Sequence, residues 1–190
     1  LLGIIKGQER LHRPGYDLTF SAPKSVSLLA EVGGDQRLIT AHDNAVNVAL
    51  AYIERLANAR RSHSGTITFE ATRNLVVAKY QHDTSRALDP QLHTHAVVLN
   101  ATIRNDGKVV ALASQSKHSV VKDGLLGFME QIYAKKLHFG MIYRSALAQE
   151  VVKLGYHIDV THADGRFEIT DVSKATLKAF SKRREDIEAA

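Results

Sequence analysis

The chain has 190 residues, 44% of them hydrophobic and 24% charged, a balance that supports one globular domain with a substantial core and excludes a disordered segment. It has no cysteine, which rules out disulfides and thiolate metal sites and leaves histidine, carboxylate and water as the possible metal ligands. A net charge of +5 suits an anionic partner without identifying one, and no apolar run approaches the ~18 residues of a membrane span, so a protein without membrane insertion is expected.

The N-terminal stretch Leu1 to Lys6 is too short for the apolar core of a signal peptide. Tyr16 to Ser21 alternates as a strand does, and Pro23 then suits the first turn of a helix that runs on through Glu31 and ends at Gly33-Gly34. From Asp35, a candidate N-cap, apolar Leu38, Ile39, Val46, Ala49, Leu50, Ile53 and Leu56 recur at helical spacing, which predicts a long amphipathic helix packed on a sheet. Thr66 to Glu70 reads as a strand. So do Leu75 to Gln81 and Ala96 to Thr102, which are rich in branched residues and separated by polar turn residues and Pro90. Asn105-Asp-Gly107 is a strong hairpin signal, joining a strand that ends near Ile103 to Lys108 through Leu112.

Residues 113–124 have loop composition; beyond them, apolar positions from Leu125 to Val152 predict one long helix or two consecutive ones, with Gly155 placed as the stop. Tyr156 to Val160 and Arg166 to Thr170 flank a second hairpin turn, His162 to Gly165, and the stretch from Ser173 reads as a basic helix. There is no repeat, low-complexity tract or linker. The expectation is a single α+β domain, with a mainly antiparallel central sheet and helices packed on it.

The densest metal-binding capacity lies between His82 and His95. Side chains at i and i+2 of a strand share a face, so His93 and His95 point one way and Thr94 the other. An antiparallel register that sets His82 opposite His93 brings their Cβ atoms to about 5 Å and leaves His95 diagonal at about 7 Å. Three neutral imidazole nitrogens would leave coordination positions open, which is the arrangement of a catalytic site. The bland alternative, histidines that only line a polar sheet face, would be preferred for a lone ring; three at this spacing favour the metal.

The His82…His93-Thr-His95 arrangement, together with the long upstream stretch from His12 to Ser27 that contains Asp17 and Lys24, closely resembles the relaxase domain of conjugative plasmid transfer proteins, the TraI/TrwC type (MobF family) of the HUH endonuclease superfamily. The likeness extends to Ala179 through Arg184. It implies an HUH relaxase-like fold and a metal-dependent strand transferase that nicks single-stranded DNA at a plasmid origin of transfer through a phosphotyrosine intermediate. His82, His93 and His95 would hold the ion, and Asp17 would orient a histidine or assist proton transfer. Mg or Mn is the expected ion, with Zn or Ni tolerated. Implied partners are origin-of-transfer DNA, relaxosome accessory proteins and a fused C-terminal helicase, in a bacterial cytoplasm.

The family's nucleophilic tyrosines precede the motif that begins here at His12, and Leu1 to Leu11 contain none, so a fragment lacking that segment and impaired in cleavage is expected. Lys24, Arg86, Lys182, Arg183 and Arg184 are candidates for phosphate contact, although taken singly most such cations are solvated surface charges. Ser21-Ala-Pro-Lys24 matches a serine–lysine acyl-enzyme spacing without its partner motifs, and Pro23 is better explained as a helix starter. The Asn100-Ala-Thr102 sequon falls inside the expected core strand Ala96 to Thr102 and carries no weight. Competing readings are a rolling-circle replication initiator, disfavoured by the upstream motif, and a non-catalytic DNA-binding module whose histidines only stiffen the hairpin.

Overall fold

The computed structural model describes residues 4–6, 9–11, 13–64, 66–114 and 126–182. In chain order these form β1 (Ile4–Lys6), β2 (Glu9–Leu11), β3 (Gly15–Ser21), α1 (Lys24–Glu31), α2 (Gln36–Glu54), β4 (Asn58–His63), β5 (Thr66–Ala71) and β6 (Val77–Thr84). There follow β7 (Pro90–Leu99), β8 (Thr102–Ile103), β9 (Val109–Val110), α3 (Phe128–Lys153), β10 (Ile158–Val160), β11 (Phe167–Ile169) and α4 (Lys174–Ala179). The pairs β1-β2, β4-β5, β8-β9 and β10-β11 are antiparallel ribbons. The remaining three strands make a sheet in the order β3-β7-β6. Bonds from Ala22 N–H to the Leu92 carbonyl and from Asn100 N–H to the Pro14 carbonyl, both 2.9 Å, make β3 and β7 antiparallel as well. The class is α+β, and no helix among the described residues is long and apolar enough to cross a membrane.

Local chemistry accounts for most boundaries. Pro23 stands one place earlier than expected, as the residue before α1, with φ −52° and ψ 153°. Gly34 adopts φ 75°, which lets the chain break before α2, and the Asp35 carboxylate then accepts the Arg37 backbone N–H at 3.1 Å as an N-cap does. The apolar stretch after residue 125 forms one helix of 26 residues, stopped where Gly155 takes φ 94°. Gly107, at φ 77°, closes the short β8-β9 hairpin that Asn105-Asp-Gly107 foretold. The basic C-terminal helix is short; Ser173 Oγ accepts the Thr176 N–H at its start, and Arg183 and Arg184 lie outside the described residues, as do 115–125 of the expected loop.

Two expectations are corrected. Pro90 is the first residue of β7 rather than part of the turn, a strand position where its missing N–H costs no ladder bond. Asn58–His63, passed over as a strand, is β4, fully paired with β5 from Asn58↔Ala71 to His63↔Thr66.

The chain divides into two compact units. The first comprises Leu1–Leu18, Leu50–Ala78 and Ala96–Lys136. Its core includes Ile53, Ala59, Ile67, Val98, Leu112 and Phe128. Here β3 and β7 approach so closely at Gly15 that a Cβ would lie 2.6 Å from the Val98 carbonyl oxygen.

The second comprises Thr19–Ala49, Lys79–His95 and Leu137–Ala190, with Phe20, Val26, Leu38, Leu92, Leu147 and Phe167 in its core. Its α1 is fastened to β11 by Ser25: the Glu168 carboxylate accepts Ser25 N–H at 2.8 Å and Ser25 Oγ–H at 2.5 Å, while Ser25 Oγ accepts Ile169 N–H at 2.8 Å.

A candidate metal centre on the histidine hairpin

All three histidines of the motif belong to the second unit. Along β7 the side chains alternate as a half-buried strand requires: Leu92, Thr94 and Ala96 are buried, while His93 and His95 are half-buried on the opposite face. His82 lies on β6, which pairs with β7, and is exposed. The three rings gather with centroids 5.2 Å apart for His82–His93, 5.4 Å for His82–His95 and 5.2 Å for His93–His95.

That spacing can be compared with what one ion demands. A nitrogen about 2.1 Å from an ion puts its ring centre about 3.2 Å away, so two ligand rings sit roughly 4.6 Å apart at a right angle and roughly 5.3 Å at a tetrahedral one. The observed separations reach the tetrahedral figure.

Ring orientation is less complete. His95 stands edge-on to both neighbours, at 88° and 71°, whereas the His82 and His93 ring planes lie within 22° of parallel. Among the described residues no three donors are already drawn to the spacing of a filled site, and His82, the exposed ring of the three, is the one freest to turn.

The choice of nitrogen is better defined. His93 Nδ1 lies 2.8 Å from the Gln91 carbonyl oxygen, which can only accept, so Nδ1 carries the proton and Nε2 is the nitrogen with a lone pair to offer. His95 Nδ1 faces the Thr19 hydroxyl at 3.3 Å, a group that can donate or accept, so this contact occupies Nδ1 without choosing the tautomer. His93 thus has the orientation a ligating histidine needs.

Behind the strand lies a buried polar relay that sequence reading did not single out. Thr94 Oγ1, on the face opposite the two histidines, is 2.8 Å from His42 Nε2, and His42 Nδ1 is 2.7 Å from Tyr143 Oη. His42 has no exposed surface, and its ring meets Tyr143 edge-on with centroids 5.6 Å apart. Burial pulls the His42 imidazole down to about 4, opposed by nearby Asp43, so it is neutral near pH 7 and one ring nitrogen donates while the other accepts. Burial also pushes the Tyr143 phenol far above its usual range, so it stays protonated. The signal was present, since His42 falls one turn after Leu38 on the apolar stripe of α2.

The turn joining β6 to β7 is tightly built. Ser85 N–H bonds the Asp89 carbonyl and Leu88 N–H the Ser85 carbonyl, both at 2.9 Å, and Ser85 Oγ accepts from Ala87 N–H and Asp89 N–H at 3.2 Å. Asp89 is buried, and its carboxylate accepts the Lys182 backbone N–H at 2.8 Å. Lys24 Nζ donates to the Pro90 carbonyl at 2.9 Å. Burial lowers the Lys24 ammonium from its ordinary value, with Asp89 and Glu168 opposing.

Of the expected phosphate contacts, Lys24 reaches this turn through its ammonium and Lys182 through its backbone, and exposed Arg86 lies upon it. Asp17 is exposed on β3, two residues before Thr19 and on the same strand face, in the first unit. Asp83 follows His82 on the alternate face of β6.

Antiparallel strands that carry three clustered imidazoles define a histidine-hairpin protein of the relaxase type, and the whole sequence agrees: the TrwC relaxase family model matches residues 5–190. The chain belongs to the TrwC relaxase family. It is 47% identical over 179 residues to the multifunctional conjugation protein TraI of Escherichia coli (strain K12), across 94% of this chain and 10% of that protein.

Among solved structures, conjugative relaxase TrwC in complex with oriT DNA is similar in its metal-free form, with TM-score 0.81, 42% identity and coverage of 92% of this chain and 56% of the other. Its metal-bound form matches with TM-score 0.84 and 40% identity over 97% of this chain and 58% of the other. The chain thus spans about a tenth of the curated relatives it matches and a little over half of the solved TrwC chains.

Proposed function

We propose that residues 1–190 form a relaxase domain acting in conjugation, a site-specific DNA endonuclease and transesterase that requires a divalent metal ion and acts on single-stranded DNA at a plasmid origin of transfer. The observation that carries this reading is the gathering of His82, His93 and His95, with ring centres 5.2–5.4 Å apart and His93 held in the tautomer that offers Nε2. It is supported by relatives whose solved structures contain oriT DNA, in metal-free, metal-bound and copper-bound forms.

His82, His93 and His95 would hold the ion, which when bound supplies Lewis-acid stabilisation of the scissile phosphate's charge. Binding and orientation belong to the chain's own residues. Gln91 and Thr19 orient two of the rings through Nδ1. Asp17, on the strand face that bears Thr19, would orient a ring or move a proton. Arg86, Lys24 and Lys182, with Arg183 and Arg184 beyond, would position the DNA through its phosphates. The scissile bond is attacked by a tyrosine oxygen, leaving a phosphotyrosine and a free 3′ hydroxyl. Tyr143 cannot serve, being buried and held protonated behind the sheet.

Mg or Mn is the proposed ion, with Zn or Ni as substitutes that imidazole also favours. Relaxosome accessory proteins, a helicase in the same polypeptide and a bacterial cytoplasmic setting complete the proposal. A non-catalytic DNA-binding module is the alternative.

Incubating the chain with a labelled oligonucleotide carrying its plasmid's origin of transfer, with and without Mn(II), tests the reading. Tighter binding than to a scrambled strand, strengthened by the ion and lost in His93→Ala, is expected, with little covalent adduct from this chain alone. Equal binding of both strands, indifferent to metal, would leave only the binding module. A robust adduct would assign the nucleophile to one of the chain's own tyrosines.

A further inference from the structure

Leu88, in the turn that joins the two histidine-bearing strands, is unexplained by folding. It is 81% exposed, so burial gains nothing from its side chain, and it holds φ 60°, a left-handed conformation that favours glycine or asparagine and penalises leucine. The turn does not need the side chain either. Its bonds run through the Ser85 hydroxyl, the backbone of residues 85–89 and the buried Asp89, and would close as well around asparagine.

The surroundings point to a ligand that is at once anionic and apolar. Exposed Arg86 is two residues away, Lys24 is bonded to Pro90 at the end of the turn, and Lys182 is anchored on Asp89 through its backbone, while Asp89 itself is buried and already accepting. The turn thus carries an exposed arginine two residues from an outward apolar group, with the Lys24 ammonium at its end. Phosphates answer the cations, and the flat face of an unpaired base answers the leucine. Paired bases would be stacked on each other and unable to offer that face.

Resting on the relaxase reading above, we infer that Leu88 is a base-contacting residue: it packs against a nucleobase of single-stranded DNA while Arg86 neutralises an adjacent phosphate, and the strained turn exists to hold that side chain outward. The contact is apolar, so it is sequence-tolerant and insensitive to salt. It holds the strand where the hairpin's histidines lie.

The test compares the wild-type chain with Leu88→Asn, Leu88→Met and Arg86→Gln for thermal unfolding and for binding of fluorescein-labelled oligo(dT) across a salt series. Leu88→Asn should raise Tm by about 2–4 °C as the strain is relieved. Its affinity should fall roughly five- to tenfold with the salt slope unchanged. Leu88→Met should bind like wild type, and Arg86→Gln should flatten the slope of log K against log salt by about 0.7. Leu88→Asn binding as tightly as wild type, or a lowered Tm showing that the turn needs the leucine to form, would overturn the inference while leaving the relaxase reading intact. Wild-type chain without affinity for oligo(dT) would likewise overturn the inference, while the relaxase reading stands or falls on the origin-of-transfer strand alone.

Discussion

Replacing His42 with leucine keeps an apolar side chain at that position of α2 but deletes both ring nitrogens. Tyr143 Oη and Thr94 Oγ1 then lose their partners in places where Tyr143 is 3% and Thr94 1% exposed. Each orphaned hydroxyl costs about 1–3 kcal/mol, partly offset by the easier burial of leucine, so a net loss of about 3–4 kcal/mol near neutral pH is expected.

The pH dependence has a definite sign. Folding lowers the His42 imidazole to about 4 from an unfolded value near 6.5, so in that window the unfolded chain binds a proton that the folded chain refuses. The stability linked to neutral His42 is fully present above about pH 6.5 and is lost as pH falls through about 4, a decline of about 3 kcal/mol. The leucine variant lacks this component, so the two stability curves should converge toward pH 4. Urea unfolding followed by circular dichroism at several pH values between about 7 and about 4 measures both curves. Parallel curves, or a cost under about 1 kcal/mol at neutral pH, would refute the buried neutral relay.

Two further substitutions test the frame around the site. Ser25→Ala removes a hydroxyl that donates to the Glu168 carboxylate and accepts from Ile169 N–H; a loss of about 2–3 kcal/mol in urea unfolding is expected, and a neutral outcome would show that α1 and β11 are held by packing alone. Gly15→Ala places a methyl 2.6 Å from the Val98 carbonyl oxygen, so β3 and β7 must part locally and stability should fall by about 1–3 kcal/mol; an unchanged Tm would mean the strands can shift at no cost.

Much of the fold was readable where local chemistry is decisive. Asn105-Asp-Gly107 demanded a residue with φ above zero, and Gly107 supplies 77°. The i, i+2 rule placed His93 and His95 opposite Thr94, as the burial of β7 shows. Tertiary partners were not readable. Asn58–His63 carries two arginines and only one apolar residue, so its strand character comes from its pairing with β5 rather than from its own alternation.

Apolar residues lie all around α3, which left one helix or two open in the sequence; α3 runs unbroken from Phe128 to Lys153, and Gly155 follows it at φ 94°. His42 is a polar residue on an apolar stripe that sequence reading passed over, because its partner Tyr143 lies 101 residues away and only folding brings them together. Near-equal ring separations in the histidine cluster, instead of the unequal Cβ spacings expected from the ladder, reflect side-chain rotation that no register argument contains.

The central claim is that His82, His93 and His95 hold one divalent ion. Calorimetric titration of Mn(II) into the chain and into His82→Ala, His93→Ala and His95→Ala tests it directly, with unfolding curves confirming that each variant folds. One ion per chain is predicted for the wild type, with affinity at least about tenfold lower in each variant, since three ligands act on one centre. Binding that persists unchanged in all three variants, or none in the wild type, would contradict the claim.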